Sequence, residues 1–178
     1  ACPAVLRIIR VRFPSLIPNI LRLRSPMEFA ARWAKKRVSL EKGIPYGDIG
    51  AIFISPCPAK VTSAKMPLGT IKTYVDAVVS MTEVYGRLAP VVKELTGRNL
   101  AETEELASAG GLGIGWGRAG GETAALKNDR YIAADGMENV IRVLEDLEDD
   151  RLEDVEFVEL NACNGGCVGG VLAVERPY

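Results

Sequence analysis

Short apolar runs rich in β-branched residues alternate along this chain with longer stretches of helical periodicity, and this alternation constrains the fold more than any other feature. The predicted strands lie at 49–55, 74–80, 131–134 and 155–160. The predicted helices lie at 3–13, 26–42, 82–96 and 137–148. Strands that alternate with helices are typical of α/β domains with parallel sheets. We therefore predict an α/β fold in which a mostly parallel sheet is flanked by helices.

Local signals mark some of these elements more clearly than others. Before the helix predicted at 26–42, Ser25 and Glu28 form a capping box, and Gly43 follows its last residue. The segment 110–121 differs because seven of its residues are glycine. There we predict a loop, or a close approach between two backbones.

The composition excludes several kinds of site and partner. The 178 residues contain no His, which removes Ser-His-Asp and Cys-His nucleophilic sites and His-ligated zinc. A formal net charge of −1 argues against nucleic-acid binding, and no apolar stretch is long enough for a membrane span. We expect a single domain over 1–178 in a cytoplasmic protein, with neither nucleic acid nor membrane as partner. The absence of an initiator Met also leads us to expect a piece of a longer protein.

Four cysteines are the candidate metal ligands: Cys2, Cys57, Cys163 and Cys167. Three of them follow a predicted strand or begin a predicted helix, and the carboxyl ends of parallel strands are where α/β folds place ligand sites. The glycines after Cys163 allow backbone N–H groups to approach sulfur closely. One CxxxC pair and two distant single cysteines favour a cubane iron–sulfur cluster over zinc. Small buried thiols without metal remain an alternative at this point.

A second pattern points to a different ligand. Residues 115–120 satisfy G-x-G-x-x-G, and Asp135 follows at the distance of a ribose-binding acid. The residues before Gly115 do not form a buried strand, which a dinucleotide site needs. We therefore predict that the chain does not bind a dinucleotide.

Three separated motifs, with a fourth segment between them, resemble the cluster-binding catalytic domain of the iron-only (FeFe) hydrogenases. The sequence ACP at 1–3 resembles the family's TSCCPxW, and SPCPAK at 55–60 resembles MPCxxKKxE. The sequence ELNACNGGCVGG at 159–170 resembles ExMACxxGCxxGG, and GIGWGRAGGE at 113–122 resembles GxIFGxTGG. The resemblance covers nearly the whole chain in the family's order. It implies two lobes that clasp a cluster at the carboxyl ends of strands.

The resemblance also implies a cofactor and the residues that hold it. The cysteines would bind a 4Fe-4S cubane, and Cys167 would bridge it to a diiron centre that carries carbonyl and cyanide ligands. Lys60 matches a lysine that hydrogen-bonds a cyanide, whereas Trp116 and Gly117 match a Phe-Gly pair that walls the pocket. In the family this centre makes or splits H₂.

The departures from the family pattern concern proton delivery and the pocket wall. Ala1 stands where the family has its proton-delivering cysteine, and Ser63 stands where a glutamate continues the path. Ser55 and Asn161 replace two methionines, and Met27 replaces a glutamine. Loss of one positioned proton carrier typically lowers a rate 10²–10⁴-fold. We therefore name no catalytic residue and expect weak or absent H₂ turnover.

These departures resemble the divergent sensory branch of the family, in which the domain is joined to ferredoxin-like and signalling modules. The leading hypothesis is a redox- or H₂-responsive iron–sulfur sensor or electron-handling module. Its expected partners are an upstream ferredoxin-like domain, a downstream signalling domain, and H₂ or a redox carrier. Two alternatives stay open: a slow FeFe hydrogenase, and a metal-free or zinc-bound structural scaffold.

Overall fold

The computed structural model describes residues 2–69, 72–96 and 110–175. Helices in these ranges are α1 (Pro3–Arg12), α2 (Pro26–Lys42), α3 (Pro58–Lys65), α4 (Met81–Leu95), α5 (Gly111–Gly115), α6 (Gly121–Leu126) and α7 (Met137–Glu148). Strands are β1 (Ile52–Ser55), β2 (Ala77–Ser80), β3 (Tyr131–Asp135) and β4 (Phe157–Asn161). Short 3-10 turns lie at Pro14–Asn19, Tyr46–Asp48 and Cys167–Gly169.

The strands form two small parallel sheets. β1 pairs with β2, with Ser55 opposite Ser80, and β3 pairs with β4, with Asp135 opposite Asn161. Parallel strands flanked by helices confirm the predicted α/β class. In the described residues the two sheets do not pair with each other, so the mostly parallel sheet of the prediction is divided in two.

The main core lies where α1 and the 3-10 turn after it pack on α7. Its buried side chains are Val5, Ile9, Phe13, Leu16, Val140 and Leu144. The spacing of apolar residues in α7 places Val140 and Leu144 on one face, and both are less than 2% exposed. This core holds the start of α1, where Cys2 lies, beside the β3–β4 sheet.

Two helices begin and end at the residues that the sequence predicted. The Ser25 Oγ accepts a hydrogen bond from the Glu28 N–H at the start of α2, and Gly43 ends the helix with a φ of 65°. The 137–148 helix is also confirmed as α7. Within the described ranges, none of the helices has both the length and the apolar character required to span a membrane.

Two segments differ from the predictions. For the glycine-rich segment the prediction is a loop or a close backbone approach, and the loop alternative is wrong: the segment contains the short helix α5 and the start of α6. These helices meet closely, since a Cβ on Gly121 would lie 2.9 Å from the Trp116 carbonyl oxygen. The sequence does not predict helix α3, because it has no apolar stripe there. In the structure, accordingly, no side chain of α3 is fully buried. Tertiary contact, rather than helix propensity, explains why the glycine-rich segment is helical.

Candidate metal centre

The four cysteines lie around one pocket, as their positions in the sequence predicted. Cys57 is buried, and the other three are half-buried; all four are free thiols. The pocket is lined by Cys2, Pro3, Cys57, Lys60, Asn161, Ala162, Cys163, Gly166 and Cys167. Residues far apart in sequence thus provide four sulfur donors to one place.

Cys2 and Cys57 reach the pocket in the same way. Each is the residue before a helix, α1 or α3, and each is followed by a proline in the first helical turn. Neither thiol caps its own helix. Since helix N-termini carry a partial positive charge, both sulfurs lie where a negative charge is stabilised.

Ser55 fixes the backbone that precedes Cys57. Its side chain is fully buried, and its Oγ accepts a hydrogen bond of 3.1 Å from the Cys57 N–H. Ser55 lies outside the lining of the pocket in the described structure. It therefore acts on the site through the Cys57 backbone.

Cys163 and Cys167 lie on a tight loop after β4. Gly165 and Gly166 have φ angles of 77° and 87°, which side-chain-bearing residues rarely adopt. A Cβ on Gly166 would lie 2.5 Å from the Ala119 nitrogen, so this loop is in close contact with the 117–120 segment. The sequence prediction of a close backbone approach by the 110–121 segment is confirmed here.

Asp135 holds the same loop from the other side. Its Oδ2 accepts a hydrogen bond of 2.5 Å from the Gly165 N–H. This is the carboxylate that a dinucleotide site would need for ribose, and here it is used by the protein backbone. The residues just before the G-x-G-x-x-G sequence belong to helix α5, which ends at the first glycine of the motif, and not to a strand. A dinucleotide site has neither feature, and the absence of dinucleotide binding stays a prediction.

The Cys57 and Cys167 loops are in direct contact. A Cβ on Gly170 would lie 2.9 Å from the Pro56 carbonyl carbon, and the Pro56 oxygen accepts a hydrogen bond of 2.9 Å from the Leu172 N–H. Thr82, at the start of α4, donates its Oγ1–H and its N–H to the Leu172 carbonyl. This contact joins the two halves of the site.

The four thiols oppose one another's deprotonation. Burial raises the pKa of the Cys163 thiol, and the neighbouring Cys57, Cys2 and Cys167 raise it further, whereas Lys60 lowers it. The Lys60 Nζ lies 3.5 Å from the Cys167 Sγ. Four thiolates at one pocket repel one another, and a bound metal cation removes this penalty because it coordinates the deprotonated sulfur.

The described thiols do not converge on one point that a single metal ion could occupy. Within residues 2–69, 72–96 and 110–175, no three His, Cys, Asp or Glu side chains meet at a common point for one metal ion. Structural zinc requires four ligands about 2.0–2.3 Å from the same ion. A 4Fe-4S cluster instead takes one thiolate at each of four irons. Four cysteine sulfurs at one pocket are, by their chemistry, the donor set that a 4Fe-4S cubane takes.

The other predicted site residues are divided between the pocket and its surroundings. Lys60 and Asn161 line the pocket. The Gly117 carbonyl accepts a hydrogen bond of 3.2 Å from the Val168 N–H, beside Cys167. Trp116, next to it, is 37% exposed and lies outside the lining.

Met27 and Ser63 also lie outside the lining of the four-cysteine pocket. Met27 is buried in a separate groove between α2 and β1. Ser63 is half-buried on α3, one turn beyond Lys60. Ala1 lies outside the described residues.

Sequence reasoning missed the role of Glu159. This carboxylate is 3% exposed and accepts hydrogen bonds from Gly120, Thr123 and Asn161. An acidic residue within a strand of apolar residues is the signal that could have identified it, since buried carboxylates are rare without partners.

Parallel strands flanked by helices, with four thiols around one pocket, define an α/β domain with a candidate iron–sulfur centre. The sequence matches the family described as Iron only hydrogenase large subunit, C-terminal domain, over residues 1–171. The chain belongs to this family, whose members bind a 4Fe-4S cluster joined to a diiron centre.

Solved structures show the same fold at low sequence identity. The chain aligns over 100% of its length with HydA(deltaEFG), from work on stepwise FeFe-hydrogenase H-cluster assembly, at a TM-score of 0.70 and 17% identity. A variant of FeFe-hydrogenase HydA1 from Chlamydomonas reinhardtii matches 100% of the chain, at a TM-score of 0.71 and 16% identity. The chain covers 61% and 62% of these two structures, so it spans about three fifths of their length.

Proposed function

We propose that this chain binds a 4Fe-4S cluster through its four cysteines and works as a redox- or H₂-responsive sensor or electron-handling module. One observation carries the proposal: thiols from two helix starts and one glycine loop line the same pocket, with Lys60 beside Cys167. The bound cluster would supply one-electron redox chemistry. The proposal places the chain in a longer cytoplasmic protein with ferredoxin-like and signalling domains.

The described pocket residues support weak or absent H₂ turnover. Apart from the thiols, Lys60 is the titratable side chain that lines the pocket among the described residues. No carboxylate from these residues faces it, and the whole chain has no His. General acid–base catalysis needs a positioned proton carrier within hydrogen-bond reach of the reacting group. This lining therefore favours storage or relay of electrons over rapid proton reduction.

The individual residues have separable tasks in this proposal. The helix starts at Cys2 and Cys57 stabilise negative charge on the ligands. Lys60 adds a full positive charge next to Cys167, and Asn161 offers an amide at the pocket wall. These groups would favour a cluster with net negative charge.

Anaerobic reconstitution with iron and sulfide tests the proposal. We expect a brown protein with four irons per chain and an EPR signal after reduction. The matched control replaces the four cysteines with serine, which keeps the size of the side chains and removes the soft ligands. A wild-type chain that stays colourless, or that binds one zinc in place of iron, contradicts the proposal and favours the scaffold alternative.

A slow FeFe hydrogenase is the second candidate. The 3.5 Å contact between the Lys60 Nζ and the Cys167 Sγ favours it, because the resemblance assigns these two residues to the diiron side of the cluster. Co-expression with hydrogenase maturation factors, followed by infrared spectroscopy, decides between the candidates. Carbonyl and cyanide bands support a diiron centre, and an H₂-evolution rate equal to that of HydA1 measured alongside contradicts the sensor proposal.

A further inference from the structure

The buried carboxylate of Glu159 stands out among the charged groups near the metal centre. It is 3% exposed, and no ion pair within the described residues includes it. A charge buried without a cation is costly unless hydrogen bonds compensate for it. A residue of this kind needs a structural or functional explanation.

Four donors surround this carboxylate. Its Oε1 accepts from the Gly120 N–H and the Asn161 Nδ2, both at 3.0 Å. Its Oε2 accepts from the Thr123 N–H at 2.9 Å and lies 3.0 Å from the Thr123 Oγ1, whose single proton also faces the Gly120 carbonyl at 2.9 Å. Both oxygens therefore have hydrogen-bond partners from the protein, which compensates for the burial of the carboxylate.

The donors lead to two different parts of the metal centre. Asn161 lines the four-cysteine pocket, so one oxygen of Glu159 orients an amide at its wall. Gly120 follows residues 117–119, whose backbone is hydrogen-bonded directly to the loop that carries Cys163 and Cys167. The Ala119 N–H donates to the Gly165 carbonyl at 3.1 Å, and the Val168 N–H donates to the Gly117 carbonyl at 3.2 Å.

The packing between these backbones leaves little freedom for independent movement. A Cβ on Gly166 would lie 2.7 Å from the Arg118 carbonyl carbon and 2.8 Å from the Gly117 oxygen. Since packed interiors transmit displacement, a shift of the 117–120 segment also moves the loop that carries Cys167.

We propose that Glu159 is a positioning residue: it fixes the 117–120 segment against β4 and so holds the Cys163–Cys167 loop in its ligating conformation. The redox effect expected of Glu159 rests on the proposed cluster-binding function. Its effect on the structure of the loop does not. The loop is held by Glu159 whether or not a cluster is bound.

Hydrogen exchange in the metal-free protein tests the structural part. Glu159→Asp keeps the charge, but its side chain is too short to reach the partners of both carboxylate oxygens. Glu159→Gln keeps the length, but its amide NH₂ group would face N–H groups that need an acceptor. We expect both variants to speed amide exchange at least tenfold at Ala119 and Val168, while amides of α7 stay protected. Uniform acceleration over the whole chain, or no acceleration in either variant, overturns the proposal.

Thr123→Val provides a milder test in case the Glu159 variants do not fold. It removes the hydroxyl that lies between the Glu159 carboxylate and the Gly120 carbonyl, without changing the volume of the side chain much. We expect a smaller acceleration at the same two amides, and unchanged exchange there overturns the proposal. Glu156→Gln is the matched control, because Glu156 lies before β4 and pairs with Arg130 and Asn128 at the surface. It should leave the loop amides unchanged.

The reconstituted protein tests the redox part. Substitution of groups that support metal ligands typically lowers metal affinity 10–100-fold. We expect chelators to remove iron about tenfold faster from Glu159→Asp and Glu159→Gln, with a shifted midpoint potential in both. A shift in Glu159→Gln alone indicates an effect of charge and overturns the positioning role. If wild type takes up no cluster, the proposed function fails, and the exchange measurement still decides the role of Glu159.

Discussion

The two halves of the metal centre hold their cysteines by different means. Cys2 and Cys57 each lie at a helix start, where the helix itself directs the backbone. Cys163 and Cys167 lie on a loop whose shape depends on positive φ angles and on hydrogen bonds from distant residues. Local sequence signals are enough to position Cys2 and Cys57, whereas the positions of Cys163 and Cys167 depend on the rest of the fold. We therefore expect the second half to be more sensitive to single substitutions.

The largest effect is expected at Gly166. Gly166→Ala places a Cβ against the Ala119 nitrogen at a φ of 87°, so strain and overlap act together. We expect a loss of about 3 kcal/mol in the free energy of unfolding and failure of iron uptake. Urea unfolding and iron analysis after reconstitution measure both. Gly47→Ala is the matched control, since a Cβ there meets nothing within 4 Å. Equal effects at the two glycines would show that this loop is not specially constrained.

Asp135 tests the same half of the site from its other side. Asp135→Ala leaves the buried Gly165 N–H without its carboxylate partner. An unsatisfied buried donor costs about 1–3 kcal/mol, so we expect a destabilisation of about 2 kcal/mol and faster exchange of the Gly165 amide. Asp129→Ala, at an exposed position before β3, is the control. A Gly165 amide that exchanges at the wild-type rate in Asp135→Ala contradicts this account.

Ser55 tests the half that is built on helix starts. Ser55→Ala removes the acceptor for the Cys57 N–H, and we expect a loss of about 1 kcal/mol in stability. Ser80→Ala is matched to it, because Ser80 pairs with Ser55 across the sheet and caps α4 through the Glu83 N–H. The two variants should lose similar stability in urea, but only Ser55→Ala should weaken iron binding. Equal iron binding in both variants argues against a role of Ser55 at the metal centre.

The difference between the two halves also explains what could be predicted from sequence. The bounds of α2 and α7, and the meeting of the four cysteines, follow from caps, periodicity and strand ends, which are local features. Helix α3 lacks such a pattern, and the glycine-rich segment is ordered by contacts with distant residues. No sequence rule links Asp135 to Gly165 or Glu159 to Thr123, because their pairing exists only once β3 and β4 are side by side.

The smallest expected effect is a dependence on pH in the β1–β2 half. The Lys35 ammonium, 2.6 Å from the Asp76 carboxylate, holds the pKa of Asp76 below its usual value, and a hydrogen bond from the Ala51 N–H lowers it further. A carboxyl with a lowered folded-state pKa stabilises the fold above its unfolded-state value of about 3.8. This stability is lost as the pH falls through the folded-state pKa.

The carboxylate of Asp76 is about half exposed, so solvent screens the pair, and we expect a contribution of about 1 kcal/mol or less. Urea unfolding between pH 5 and pH 2 measures it. Asp76→Asn should be less stable than wild type at pH 5 and should lose less on acidification. Because the Ala51 N–H precedes β1, which leads to Cys57, amides near Cys57 should also lose protection in acid earlier than those near Cys167. Simultaneous loss at both places would show that the two halves of the site open as one unit.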